Sequence, residues 1–520
     1  MRWRPLLLLG ALSLQLLGSA CLLSVPELLE CAPGAAIPCY SGPAETEGVG
    51  LCRAGQGVCG EDGECAGEVV PQVELCSSID AADEDCDGEI NDHCAIWSVS
   101  LGDSGEDRSN GVAAFDDGVV VSGDYARALQ FGDDELTVDS GAQRNAYLAR
   151  FDEGGKPDWI VDARSGGSVQ LRRVSSAGSR LYAAGLLSGS LDVAGRTASS
   201  TGGLDGIVLA VDAASGSVDW LASVGGGGDL RLEAVAGHAA GVVAVGYFDG
   251  DLDLGSLGNV AGDGVDTLVL ALDEDGLPRW ARVGTGAGDD MLLRSVVVGD
   301  EVVVAGFFED ELDFGCDDPV SAVDVASDGF VARFAIEDGS CRPLLTLPGA
   351  GSVRARGLAA VVGRIFVAID FDGDVTLPGG ETLTSAGERD VAVIALTPEG
   401  EVIWSRQFGD EQNQDVFAVA ATADGGVFLG GSASGNPDFG EGPINSNPKG
   451  DNAFVVRLSP SGEVIWARSF GGDGDDDTIA VSVAPSGSLY IAGEVETSMD
   501  LGRGVITGNA IDGFVARLSP

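Results

Sequence analysis

The chain has 520 residues, with 82 Asp or Glu against 29 Lys or Arg, a formal net charge of −53 at neutral pH. That excess excludes a nucleic-acid binder, which needs a basic face for phosphate contacts, and 44% hydrophobic residues exclude general disorder. Two histidines leave little room for a His-rich metal centre or a His-dependent triad, while 80 glycines indicate a chain dense in turns.

Residues 1–20 have the pattern of an export signal. Arg2 and Arg4 form a basic start, Leu6 to Leu17 is an apolar run, and the small residues Gly18-Ser19-Ala20 precede Cys21. The run is short for a membrane span, which takes about 18 apolar residues or more. A small triplet followed by Cys resembles the lipobox of bacterial lipoproteins, although Gly18 stands where that pattern usually has Leu. The resemblance implies lipidation of Cys21, a lipid anchor as the only membrane attachment, and an outer-membrane or cell-surface address. Plain export to the periplasm or medium, with cleavage at the same bond, is the alternative. Setting Cys21 aside leaves ten of the eleven cysteines, an even number. Either route leads to an oxidising compartment.

Residues 21–38 read as a linker and 39–94 as a cysteine-rich region. Cys31, Cys39, Cys52, Cys59, Cys65, Cys76, Cys86 and Cys94 include no C-x-x-C pair of the kind zinc knuckles use, so disulfides are expected, with connectivity open. Few large apolar residues lie here, and covalent staples substitute for a core. Asp83, Asp85 and Asp87 alternate ahead of Gly88, Glu89, Ile90 and Asn91. Carboxylates at loop positions one, three and five converge on a hard cation, Gly at six permits the sharp turn, and an apolar residue at eight pins the loop. Ca²⁺ is therefore the expected metal, held by Asp83, Asp85, Asp87, Glu89 and Asn91. Cys94 stands where an EF-hand has its bidentate Glu, as in thrombospondin-type-3-like loops, which also differ there. An acidic disulfide turn is the competing reading.

The run Cys39-Tyr40-Ser41-Gly42-Pro43, Gly48-Val49-Gly50, Cys52-Arg53-Ala54-Gly55, Cys59, Cys65-Ala66-Gly67-Glu68-Val69, Pro71, Glu74, Cys76 and Asp85-Cys86-Asp87-Gly88 resembles the MopE-type metal-binding motif of bacterial surface proteins. Ser77-Ser78 replaces the Asp-Gly usual in that motif. The family name carries a copper association, but His93 alone is a poor basis for copper, and Ca²⁺ suits the oxygen ligands better.

Residues 95–520 repeat. Trp97, Trp159, Trp220, Trp280, Trp404 and Trp466 recur at intervals of 60 to 62 residues, with one double interval of 124 in which Leu344 replaces Trp. Seven units of about 61 residues follow. In each, an apolar strand such as Phe454 to Leu458 leads into a turn whose Gly precedes the Trp by four residues, as in Gly216/Trp220 and Gly462/Trp466. Two further strands and an L-D-F-G-like corner, as at Leu312 to Gly315, complete the unit. Four short strands, apolar on both faces, suit a propeller blade buried between neighbours. The units resemble the SBBP-type propeller repeats of bacterial secreted proteins. The expected fold is all-β: a seven-bladed β-propeller behind a small disulfide-rich calcium-loop head. The last unit lacks its Trp strand while the first opens with Ile96-Trp97-Ser98-Val99, so the first strand is expected to complete the last blade. Cys316 and Cys341 are expected to pair by parity.

The Ala210-Val211-Asp212, Gly216, Trp220 stretch resembles the tryptophan-docking motif of quinoprotein propellers, where such rings are structural. No G-x-S-x-G elbow, P-loop or H-E-x-x-H is present. Acidic loops before the innermost strands (Asp103, Asp107, Asp229, Asp289, Asp290, Asp410, Asp415, Asp473, Asp475 to Asp477), with Arg164 and Arg354 in two units, form either a rim for cations and basic partners or a set of backbone caps. Together these features describe an exported, lipid-anchored, monomeric binding or scaffold protein without a catalytic site, its partner a surface protein or polysaccharide. A propeller enzyme acting on polysaccharide, a quinoprotein-like oxidoreductase and a purely structural envelope protein are the alternatives.

Overall fold

The computed structural model describes residues 36–519 apart from 45, 59–64, 73–75, 77–81, 85, 87, 89, 91–93, 104, 140–141, 263, 317, 324–325, 343, 441, 443 and 445–449. Its main body is a seven-bladed β-propeller with almost no helix. The first blade shows the pattern: Arg108–Phe115, Gly118–Tyr125, Asn145–Asp152 and Pro157–Ser165 pair antiparallel in chain order, from the axis outwards. The innermost strands of the next six are Ser168–Ala177, Asp229–His238, Met291–Val298, Val353–Val361, Gln414–Ala421 and Asp476–Val483. The seventh blade takes its outermost strand from the start of the ring. Ala95–Leu101 pairs with Asp512–Leu518, so the chain closes on itself as expected. Among the described residues no helix is long and apolar enough to cross a membrane.

The middle strands are nearly continuous apolar runs because neighbouring blades cover both their faces. Gly118–Tyr125 is buried throughout, and Asn145–Asp152 in all but its last residue. Each apolar cluster accordingly bridges two blades: Leu148 and Val161 of the first pack with Leu181 and Leu209 of the second.

The tryptophans tie these sandwiches together. The indole N–H of Trp97, Trp159, Trp220, Trp280 and Trp404 donates to the carbonyl of Glu153, Ala213, Glu274, Ile336 and Pro460, each on the outer hairpin of the next blade. That hairpin turns on a glycine at positive φ, for example Gly276 (φ 81°), against which the ring lies. In the fourth blade Leu345, rather than Leu344, faces the equivalent Gly400, because Leu344 turns toward the cluster around Phe334 and Cys341.

In the head, Ala36–Cys39 pairs with Gly55–Val58, and disulfides join Cys39–Cys65, Cys52–Cys86 and Cys76–Cys94; in the fourth blade Cys316 bonds Cys341. The head meets the ring at its seam. Ala95 N donates to the Leu501 carbonyl at 2.8 Å, and Ser519 N to the Cys94 carbonyl at 2.9 Å.

Candidate functional site: the mouth of the central channel

All seven innermost strands start on the face that carries the long connections between second and third strands, since strand direction alternates through each blade. Several residues in, each innermost strand has a β-bulge at the same register: between Ser109 and Gly111, Leu171 and Arg173, Leu232 and Ala234, Leu292 and Arg294, Ala355 and Gly357, Val416 and Ala418, and Asp477 and Ala480. A bulge re-aims the side chain of its extra residue, and here those residues meet from blade to blade. The Asn110 amide donates to the Leu171 carbonyl at 3.0 Å, Arg172 lies 3.6 Å from Glu233, and the Arg356 guanidinium lies 5.8 Å from the Phe417 ring centroid.

Around this belt, charges alternate. Arg108 sits 3.4 Å from Glu494, Arg354 and Arg356 reach Asp370 at 2.9 and 3.0 Å, and Arg389 reaches Asp415 at 2.5 Å. Burial pushes Asp370 up to about 6 even though both guanidiniums oppose the rise. Burial likewise raises Asp477 to about 6 and its cross-strand neighbour Glu494 to about 7, and the Glu494 shift is held back by Arg108. Below the belt lies a cavity of about 310 Å³, lined by small apolar side chains together with Arg173, Arg294, Ser175, Ser295 and Ser482.

The acidic loop residues behave chiefly as caps. Asp107 accepts from the Asp103 and Ala126 amides, Asp229 from Leu204, Asp290 from Glu309, Asp410 from Gln412 and Asn436, and Asp476 from Gly472 and Glu496. A second set, absent from the sequence reading, stands at the first position of the third strand in each blade, or the second for Asp266: Asn145, Asp205, Asp266, Asp328, Asp390, Asn452 and Asp512, all buried. Asp205, Asp328 and Asp390 accept from the Thr201, Val323 and Ala386 amides in the preceding loop. Their signal was an Asx ahead of each apolar run. Arg164 and Arg354, expected in loops, lie within strands Pro157–Ser165 and Val353–Val361, as Asp415 and Asp476 do within Gln414–Ala421 and Asp476–Val483.

Of the expected calcium ligands, Asp83 is described: it is buried, its Oδ2 accepts from the Gly88 amide at 3.0 Å, and its Oδ1 has no hydrogen-bond partner among the described residues. Gly88 has φ 101°, the turn that position six requires. Ile90 does not pin the loop, being 59% exposed; the Cys52–Cys86 disulfide and the bond from Leu51 N to the Asp83 carbonyl hold it instead. Asp85, Asp87, Glu89 and Asn91 lie outside the described residues, as do the export signal, Cys21, Cys31 and Cys59.

No family model matches the chain. A stretch of 161 residues is 25% identical to the regulatory protein FlaEY of Caulobacter vibrioides, covering 30% of this chain and 17% of that protein, so the chain spans under a fifth of that relative's length. Among solved structures, BamB from Moraxella catarrhalis aligns with 81% of this chain and 99% of its own at 12% identity and a TM-score of 0.35. The quinohemoprotein alcohol dehydrogenase of Comamonas testosteroni aligns with 82% of this chain and 76% of its own at 12% identity and a TM-score of 0.38.

Proposed function

We propose that this protein is an exported binding or scaffold protein, lipid-anchored in the bacterial envelope through Cys21, whose loop-bearing propeller face meets a surface protein or polysaccharide. The observation that carries this reading is the use made of the polar groups on that face. Its carboxylates cap backbone amides or pair with arginines, an arrangement that makes a rigid, charge-patterned surface. The disulfides support export, since such bonds persist in oxidising compartments. In this reading a calcium ion at Asp83, Asp85, Asp87, Glu89 and Asn91 orders the head.

Surface cross-linking on intact cells, followed by affinity capture and mass spectrometry, tests the role. A partner captured by the wild-type protein and lost when Arg108 and Arg354 are both replaced by Gln supports it; a partner set unchanged by those substitutions counts against this face. Cys21→Ser moving the protein from membrane to soluble fractions supports the anchor, and unchanged fractionation removes it.

A second reading, a propeller enzyme acting on polysaccharide, draws on the neighbouring Asp477 and Glu494, both raised toward neutrality by burial at the channel mouth. Glycan hydrolysis abolished by Glu494→Gln would establish it.

A further inference from the structure

Arg173 and Arg294 are the feature of the channel that the scaffold does not account for. They come from the second and fourth blades and line the same cavity. Arg173 donates to the carbonyls of Asn110, Arg172 and Ile479, and Arg294 to those of Leu293 and Phe417, at 2.7 and 2.6 Å for the last two. Carbonyl dipoles satisfy N–H groups but do not neutralise a charge. Among the described residues no carboxylate lies within ion-pairing distance of either guanidinium. Glu233, the acid whose charge favours both, stands 3.6 Å from Arg172. Burial and the like charges of neighbouring arginines push both groups below their ordinary range. Both guanidiniums are half-buried, and charges drawn away from water are ordinarily paired. Such a concentration of cations is conspicuous in a chain with only 29 basic residues against 82 acidic ones.

We propose that the channel is an oxyanion site: a phosphate, a sulfate or the carboxylates of a small organic acid bind between Arg173 and Arg294. The anion supplies the missing counter-charge, and the guanidinium fork suits oxygens of tetrahedral or carboxylate geometry. A cavity of about 310 Å³ accommodates one such ion with water, or a small di- or tricarboxylate, but not a folded partner. The site is thus independent of whatever the outer face contacts, and it stands or falls separately from the scaffold role.

The test is calorimetry on the full exported chain with inorganic phosphate, sulfate and citrate, at ionic strength held constant with chloride. Saturable heat from at least one of the three is expected, and which one responds separates the inorganic from the organic source. Arg173→Gln and Arg294→Gln should each weaken that binding tenfold or more, whereas Arg406→Gln, on the exposed surface, should leave it unchanged. Arg294→Lys keeps the charge but loses the fork, and should fall between. Absence of saturable heat in the wild-type protein overturns the proposal whichever variants fold. Equal binding by Arg173→Gln, Arg294→Gln and Arg406→Gln also overturns it.

Discussion

Trp220 donates its indole N–H to the Glu274 carbonyl at 2.8 Å, a bond that leaves the second blade and ends on the outer hairpin of the third. The ring can reach that carbonyl only because Gly276 leaves the hairpin bare: a Cβ there would sit 2.8 Å from the indole. The four-residue spacing of Gly and Trp within each unit thus serves contacts between units, since the Trp of one blade docks on the Gly of the next.

Two glycines at nearly the same φ separate the cost of backbone conformation from the cost of displaced packing. Gly276 (φ 81°) faces Trp220, whereas Gly363 (φ 80°) faces open space. Gly363→Ala should destabilise by about 1–2 kcal/mol, the left-handed penalty alone. Gly276→Ala should add roughly 1–3 kcal/mol for overpacking. Chemical denaturation measures both, and equal losses would show that the ring yields without cost.

Removing Ala95–Leu101 should leave the outer edge of Asp512–Leu518 unpaired and promote association through that edge. Light scattering and thermal melting of the shortened chain check this. A monomer as heat-stable as the intact protein would mean that the fourth strand of the last blade is dispensable.

Stability should fall as pH rises from about 5 to 8. Burial raises Asp290 to about 8, Asp476 to about 7, Glu494 to about 7 and Asp370, Asp477 and Asp512 to about 6. A carboxyl with a raised folded pKa holds its proton more tightly folded than unfolded. Its contribution is complete below the unfolded pKa and is lost as pH climbs through the folded one. Melting temperatures at constant ionic strength should decline across that window, and Asp290→Asn should flatten the upper part. A rise in melting temperature between pH 5 and 8 would contradict the assignment.

Calcium binding to the intact protein should be weak, with Kd on the order of 10⁻⁴ to 10⁻³ M, because Cys94 replaces the bidentate ligand. Asp83→Asn and Asp87→Asn should abolish the calcium-dependent heat. Titration with Ca²⁺ against Mg²⁺ distinguishes a built site from a diffuse response of an acidic surface, which would survive both substitutions.

The ring and its closure were legible because tryptophan is rare in this chain and recurs at one spacing, and because the unit missing its last strand is matched by a spare strand near Trp97. The channel mouth was not. Its residues follow no constant type: Asn110, Arg172, Glu233, Leu293, Arg356 and Phe417 occupy the same bulge register in successive blades. Only pairing register aligns them, and register is a property of the folded sheet. The available clue was charge inside otherwise apolar strands, as in Leu171-Arg172-Arg173-Val174 and Leu292-Leu293-Arg294-Ser295. Leu344 was misplaced for a related reason: a count of residues from Trp280 does not foresee that Leu344 packs beside Cys341 while Leu345 faces Gly400.

The seam between Ala95–Leu101 and Asp512–Leu518 also orders events in time. The ribosome makes the first of these strands some four hundred residues before the second, so through synthesis it waits without a partner. The Cys76–Cys94 bond can form in that interval and fix the base of the waiting strand. Joining two distant segments carries the loop-closure entropy of nearly the whole ring, which makes it a natural last step. A chain cut short at any point before Asp512 would retain an open edge and lack the latch. The closed ring therefore forms only in a chain whose last blade has been made.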